Sequence, residues 1–226
     1  MTKKSQGILF DYNGVIVDDE KIQEKAMANV VRGYGLEVTS QMYEKICLGR
    51  SDKEGFEAMQ RISKEVAQIP VRQLMQEKAQ EYERCVQEES VIYPGFKETL
   101  NELLQEFEIG VVTASQRAEI ETVLSKEGIL NLFKTVITAD DVINAKPDPE
   151  GYKKGINALG LPSENIVVVE DTSYGVSAAK SAGLTCVAVL HTMPADRLGQ
   201  ADKIVKSVNE VTVEMVREIL KKKSYE

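Results

Sequence analysis

The chain has 226 residues, 42% hydrophobic and 28% charged, an ordinary balance for a globular protein with room for one good-sized domain or for a domain carrying an insert. Its net charge of −8, with no long basic run, excludes the basic footprint of general nucleic-acid binding, although a single lysine can still dominate a small anionic pocket. No apolar run approaches the roughly 20 residues of a membrane span, and Met1-Thr2-Lys3-Lys4-Ser5-Gln6 enters a strand without a signal-peptide pattern.

The first predicted strand is Gly7–Phe10, a short apolar run. Residues 19–92 then contain no convincing strand. Helical patterns cover Glu20–Tyr34, Ser40–Leu48, Lys53–Ser63 and Val71–Glu89, punctuated by Pro70 and Pro94-Gly95. From Pro94 onward strand and helix alternate. Phe96–Phe107 carries apolar residues at Phe96, Leu100, Leu103, Leu104 and Phe107, one helical face. Strands are predicted at Ile109–Thr113, Thr135–Thr138, Ile166–Val169, Thr185–Leu190 and Lys203–Val205, and helices at Ala118–Glu127, Glu150–Leu159 and Ser173–Ala182. Small residues in Ser173–Ala182 suit close packing on a sheet, and Gly183 stands where a helix-ending glycine is favoured. Lys221-Lys222-Lys223 reads as a solvated helix end. The alternation predicts an α/β protein with a doubly wound parallel sheet, interrupted after its first strand by an all-helical insert.

Open parallel sheets bind ligands outside the carboxyl ends of their strands. The first strand delivers Asp11 there, within Asp11-Tyr12-Asn13-Gly14-Val15-Ile16-Val17-Asp18. The second delivers Thr113-Ala114-Ser115. The third is followed by Asp140-Asp141 and then Lys146-Pro147, and the fourth ends in Glu170-Asp171. Singly, each has an ordinary explanation as a turn, a β-former or a helix cap. Together on one sheet edge they are a chemical set. Carboxylates from two strands can hold a hard cation such as Mg²⁺. A hydroxyl and a lysine beside them can hold phosphate oxygens. The set points to metal-assisted phosphoryl transfer.

These segments resemble the four ordered motifs of the haloacid dehalogenase-like (HAD) hydrolase superfamily, in the phosphatase branch similar to β-phosphoglucomutase. Asp11 to Asp18 resembles the first motif and Val111-Val112-Thr113-Ala114-Ser115 the second. Lys146-Pro147-Asp148-Pro149 resembles the third, and Val169-Glu170-Asp171-Thr172-Ser173-Tyr174-Gly175 the fourth. The similarity covers nearly the whole chain. It implies a HAD-like Rossmannoid core of residues 1–18 and 93–226 and a helical cap of residues 19–92. It also implies a Mg²⁺-dependent phosphatase acting on a small phosphorylated metabolite, a sugar phosphate or other phosphomonoester. Asp11 would be the nucleophile, forming an aspartyl-phosphate, with its other oxygen on Mg²⁺. Asn13 would give the metal its backbone carbonyl and Asp171 a carboxylate, with Glu170 in or near the metal shell. Thr113, Ala114, Ser115 and Lys146 would bind the phosphoryl oxygens. Asp18 would orient the loop. Leu48-Gly49-Arg50-Ser51 resembles the cap specificity loop, so Gly49 and Arg50 would meet the substrate. The expected protein is cytoplasmic, a monomer or weak homodimer, with no nucleic-acid or membrane partner.

Position 13 departs from the family pattern, which has its acid/base aspartate there. A carboxamide does not titrate usefully near neutral pH. Losing such a group costs about 10²–10⁴-fold in rate. Three readings stand. The protein is a weak or specialised phosphatase, with Asn13 only orienting water or with Asp18, Asp19 or Glu20 supplying the base. It is a non-catalytic homologue that binds phosphate ligands. Or Asn13 is a replacement that traps a complex. A phosphomutase would need an acid/base for a sugar hydroxyl, and Lys53 lacks the motif around a phosphonatase Schiff-base lysine. Asn13-Gly14 is also a pair prone to deamidation when flexible. His191, the only histidine, reads as a loop residue near the site rim, and no zinc constellation exists. Cys47, Cys85 and Cys186 are scattered and read as reduced packing residues.

Overall fold

A computed structural model describes residues 4–48, 50–87 and 90–223. Six parallel strands, β1 Gly7–Phe10, β2 Glu108–Val112, β3 Thr135–Ile137, β4 Ile166–Glu170, β5 Thr185–Val189 and β6 Lys203–Val205, form one sheet in the order β3-β2-β1-β4-β5-β6. β1 is central, with Leu9 opposite Gly110 on β2 and Val168 on β4. The strand order reverses between β1 and β4. A crevice opens at such a switch point, and Asp11 and Glu170-Asp171 sit at the strand ends that border it.

Side chains alternate between two packed layers, which is why the central strands are apolar throughout. Ile8, Phe10, Ile109, Val111, Val167 and Val169 face one layer. It is covered by α5 Phe96–Leu103, α6 Arg117–Lys126 and α9 Val213–Lys223. Phe10 and Phe96 meet edge to face, centroids 5.7 Å apart. Leu9, Val112, Val168 and Cys186 face the other layer, against α7 Glu150–Leu159 and α8 Ser173–Ser181. The small residues of α8 do bring it close, with Ala178 and Ala179 fully buried. Gly183 has φ +78, the left-handed conformation that ends the helix.

Between β1 and α5 lie four further helices, α1 Glu20–Arg32, α2 Ser40–Ile46, α3 Asp52–Ile62 and α4 Val71–Val86. Ser51 and Glu54 form a capping box that starts α3, and the Thr39 side chain caps α2. The block has its own apolar cluster around Met27, Val31, Phe56, Met59 and Leu74. Tyr82, Val86 and Ala26 join the sheet-side cluster instead. The chain enters and leaves the block side by side: Asp18 N–H donates to Val91 O (2.7 Å) and Tyr93 N–H to Ile16 O (3.0 Å).

Several element ends differ from the sequence reading. β2 starts at Glu108 and stops at Val112, so Thr113 falls just past the strand, although its N–H still donates to Ile137 O at 2.9 Å. α5 stops at Leu103, because the chain must reverse into β2 at Glu108. α1 stops at Arg32, before Gly33 and the positive-φ Gly35. The final helix is longer than the lysine run alone indicated, beginning at Val213. Among the described residues no helix is long and apolar enough to cross a membrane.

Ile8→Ala in the fully buried centre of β1 is expected to cost about 2–5 kcal/mol in urea unfolding. Ile143→Ala, at a side chain 89% exposed, should stay within about 0.5 kcal/mol.

Candidate active site

The first-motif turn is fixed by its backbone. Asp11 N–H donates to Val169 O (2.9 Å), Ile16 N–H to Tyr12 O (2.8 Å) and Gly14 N–H to Val17 O (2.8 Å). Gly14 has φ +71, and a Cβ there would lie 1.9 Å from Asp171 Oδ2. Glycine is therefore required twice over, for the turn and for the approach of Asp171. His191 Nδ1 donates to Gly14 O (2.7 Å), its ring stacked on Tyr93 at 4.1 Å. The loop histidine thus supports the turn from the end of β5.

Lys146 enters from the loop before α7 and finds three acceptors: Asp11 Oδ1 (2.8 Å), Glu170 Oε1 (2.6 Å) and Val112 O (3.1 Å). Burial opposes its charge, but the two carboxylates outweigh burial and raise its pKa. Glu170 is wholly buried, yet its pKa is held below the usual carboxylate range by Lys146 and by hydrogen bonds. Oε1 also accepts from Tyr152 Oη (2.8 Å), and Oε2 accepts from Asp171 N (3.0 Å), Thr172 N (3.3 Å) and Thr172 Oγ1 (3.2 Å). Both oxygens of Glu170 are engaged, so its immediate work is to seat Lys146 and shape the fourth-motif loop. A Cβ at Gly175 would lie 1.7 Å from Glu170 Oε1, which explains the glycine there.

Asp171 is placed differently. Its Oδ1 is buried without a hydrogen-bond partner. Burial, then the charges of Asp11 and Glu170, push its carboxyl well above the ordinary range. Burial and Glu170 push Asp11 up to about 7, against the pull of Lys146. Carboxylate oxygens of Asp11, Glu170 and Asp171 lie within 4.8 Å of one another. A cluster of buried carboxylates with one orphan oxygen fits a hard divalent cation, which would neutralise the repulsion and satisfy that oxygen.

Asn13 is held at both ends. Its Oδ1 accepts from Ser115 Oγ (2.5 Å), and its Nδ2 donates to both oxygens of Asp19 (3.0 Å each). With Gly14 N–H also bonded, the flexibility that deamidation needs is missing. Asp19, only 1% exposed, further accepts from Gln23 Nε2 (2.8 Å) and Tyr82 Oη (2.6 Å). Thr113 is buried, its Oγ1 accepting from Ser115 N (3.0 Å), so the second-motif residues brace one another.

A cavity opens over Asp11, Thr113, Ala114, Ser115, Lys146 and Asp171. Its far wall comes from the helical block, including Arg50, which is exposed and lines the cavity. Gly49 lies outside the described residues. Asp140 and Asp141 do not join the site. Asp141 Oδ2 binds Thr138 and Arg117, and Asp140 Oδ2 accepts from Arg117 N, so both tie down the loop after β3. Lys53 is exposed and lines an adjoining hollow that shares Thr113, Ala114 and Lys146 with this cavity but does not include Asp11. Cys47 lines the wall, but burial pushes its thiol up to about 12, so it is no thiolate.

Sequence reasoning missed Gln23, Tyr43, Asp52 and Thr192, which also line the cavity. No local motif marks them: the packing of the block over the sheet brings Gln23, Tyr43 and Asp52 there, and Thr192 comes from the loop after β5. It also missed Lys78, 1% exposed on α4, which bonds Asp52 of α3 and Glu119 of α6, both at 2.8 Å. This bridge ties the helical block to the sheet layer.

The sequence matches the family model "Haloacid dehalogenase-like hydrolase" over residues 8–189. Validoxylamine A 7′-phosphate phosphatase of Streptomyces hygroscopicus subsp. limoneus is 34% identical, over 90% of this chain and 94% of its own length. A phosphorylated carbohydrates phosphatase of Thermotoga maritima is 27% identical over 83% and 87%. Among solved structures, a mutant CbbY of Rhodobacter sphaeroides in complex with xylulose-(1,5)bisphosphate superposes with a TM-score of 0.87. It is 23% identical and covers 93% of this chain and 98% of its own, a likeness of fold.

Lys78→Met would leave Glu119, which is fully buried, without its cation, at a cost of about 3–5 kcal/mol. Glu119 is already raised to about 7, burial being the main cause and Lys78 the main opposing one, and removing Lys78 raises it further. The folded variant then holds a proton that the unfolded chain releases at lower pH. Urea unfolding should therefore show the full loss at about pH 8 and a smaller one at about pH 5. Asn13→Asp would set a second carboxylate 3.0 Å from Asp19. The pair would keep one proton, so thermal unfolding should fall more at about pH 8 than at about pH 5. The exchange Asn13→Asp with Asp19→Asn should remove that difference.

Proposed function

The chain belongs to the haloacid dehalogenase-like hydrolase family, and we propose that it is a Mg²⁺-dependent phosphatase acting on a small phosphorylated metabolite, a sugar phosphate or related polyol phosphomonoester. One observation carries this reading: at the switch point of the sheet a buried aspartate, Asp11, bonds Lys146 beside Asp171, whose Oδ1 has no partner, under a cavity of polar residues. Relatives that act on phosphorylated carbohydrates and on a 7′-phosphorylated validoxylamine support the substrate class.

In this reading Asp11 attacks phosphorus and becomes an aspartyl-phosphate, which water then hydrolyses. Lys146 shifts one of its bonds from Asp11 to a phosphoryl oxygen and neutralises charge there. Thr113 and the residues after it provide hydroxyl and backbone donors for the remaining oxygens. Asp11, Asp171 and the backbone carbonyl of Asn13 would hold Mg²⁺, which when bound supplies Lewis-acid charge stabilisation. Glu170 stands behind Lys146 and keeps it charged. Residues 19–92 act as the cap that covers the cavity and selects the leaving group, with Arg50 and Gly49 on the substrate side. The amide at Asn13 favours slow turnover.

Release of inorganic phosphate from a panel of sugar phosphates tests the reading. Asp11→Asn should lower the rate by at least about 10³-fold. A chelator should abolish it and added Mg²⁺ restore it. Asp171→Asn should raise the Mg²⁺ needed for half-maximal rate by more than about 10-fold. If no ester is turned over while the parent protein still binds sugar phosphates, the protein is a phosphate-ligand binder instead.

A further inference from the structure

The side chain of Asn13 is committed to Ser115 and Asp19, and it carries no titratable proton. A phosphatase working through an aspartyl-phosphate still needs a proton for the leaving alkoxide and a base for the incoming water. Three carboxylates follow the first-motif turn, and their surroundings separate them. Asp18 is exposed and does not line the cavity over Asp11, bordering only a neighbouring hollow that Asp19 and Glu20 also border. Asp19 is buried away from the cavity and already accepts from Asn13, Gln23 and Tyr82. Glu20, the first residue of α1, is half-buried and lines the cavity with Asp11, Thr113 and Lys146.

We propose that Glu20 is the catalytic acid/base of this chain, the proton-carrying role having passed from the first-motif turn to the opening of α1. The proposal rests on the phosphatase reading above. In the first half-reaction an Asp11 oxygen bonds to phosphorus, the bond from phosphorus to the leaving oxygen breaks, and Glu20 gives its proton to that oxygen, releasing an alcohol. In the second, the Glu20 carboxylate takes a proton from water and the water oxygen bonds to phosphorus. The bond from phosphorus to Asp11 then breaks, returning Asp11 as a carboxylate, phosphate as product and Glu20 as the acid.

The setting of Glu20 suits both halves. Burial raises its carboxyl to about 6, with Asp19 and Glu24 on its own helix adding to the shift. The Tyr43 hydroxyl of α2, which bonds Glu20, and the ammonium of Lys78 on α4 oppose it. Arg50 and Asp52 are the other charged groups of that wall. A carboxyl poised there is present in both protonation states near neutral pH.

The test compares the parent, Glu20→Gln, Glu20→Ala and Asp11→Asn on a sugar phosphate and on p-nitrophenyl phosphate, whose leaving group departs without a proton. Glu20→Gln is expected to lower kcat on the sugar phosphate by about 10²–10⁴-fold with KM little changed. The first, single-turnover step on p-nitrophenyl phosphate should suffer far less. The bend near pH 6 in the parent's rate profile should vanish, and formate should restore part of the activity of Glu20→Ala. That rescue separates a missing acid from a damaged fold. If Glu20→Gln keeps kcat within about threefold, or keeps the bend, Glu20 is not the acid/base and the phosphatase reading stands alone. If the parent releases no more phosphate than Asp11→Asn, both are overturned.

Discussion

One ammonium group organises the reactive edge of this sheet. Lys146 is bonded to Asp11, Glu170 and the Val112 carbonyl, deep enough that its charge would be costly without them. Its three N–H groups meet three acceptors from three different strand ends, so one side chain sets the spacing of β1, β2 and β4 at the switch point. The arrangement works only because the carboxylates outnumber the lysine. Glu170 stays ionised and spends both oxygens on fixed partners, while one lysine cannot also offset Asp11 and Asp171, whose carboxyls burial and neighbouring charge raise. In the proposed reading a bound cation would relieve that imbalance and leave Lys146 free to meet a phosphoryl oxygen.

Much of this was legible because each feature has a short-range signal. Buried parallel strands announce themselves as apolar runs, and the residue that follows each run lands at the sheet edge by topology alone. Asp11, Thr113, Lys146 and Asp171 were found that way. The glycines at 14 and 175 follow from how closely Asp171 and Glu170 approach, a distance no sequence pattern states. Asp140 and Asp141 carry the same signal as Asp11 and Asp171, which line the cavity, and yet serve the loop after β3, because Arg117 and Thr138 reach them first. The far wall of the cavity was opaque for a stronger reason. Its residues come from α1, α2, α3 and the turn between α2 and α3, whose packing over the sheet is set by long-range contacts such as the Lys78 bridge.

The amide at Asn13 changes meaning in this setting. As a sequence feature it is a missing carboxylate. In the fold it is a connector that joins the hydroxyl of Ser115 to a buried aspartate, and the acidic group of that neighbourhood sits at Asp19. A carboxylate at 13 would repel Asp19, so the two positions are coupled and neither can be read alone. The next residue along, Glu20, lines the cavity with a carboxyl that burial raises.

The neighbouring crossings at Ile16–Asp18 and Val91–Tyr93 have a consequence for how such a protein can change. The two ends of the helical block are a hydrogen bond apart, so the core sees it as a closed loop of no fixed length. Lengthening the loop adds closure entropy only slowly. The sheet edge, with its ammonium and carboxylates, therefore sets little limit on the length of the block; what a changed block must keep is the packing of Tyr82 and Val86 on the core and the Lys78–Glu119 bridge.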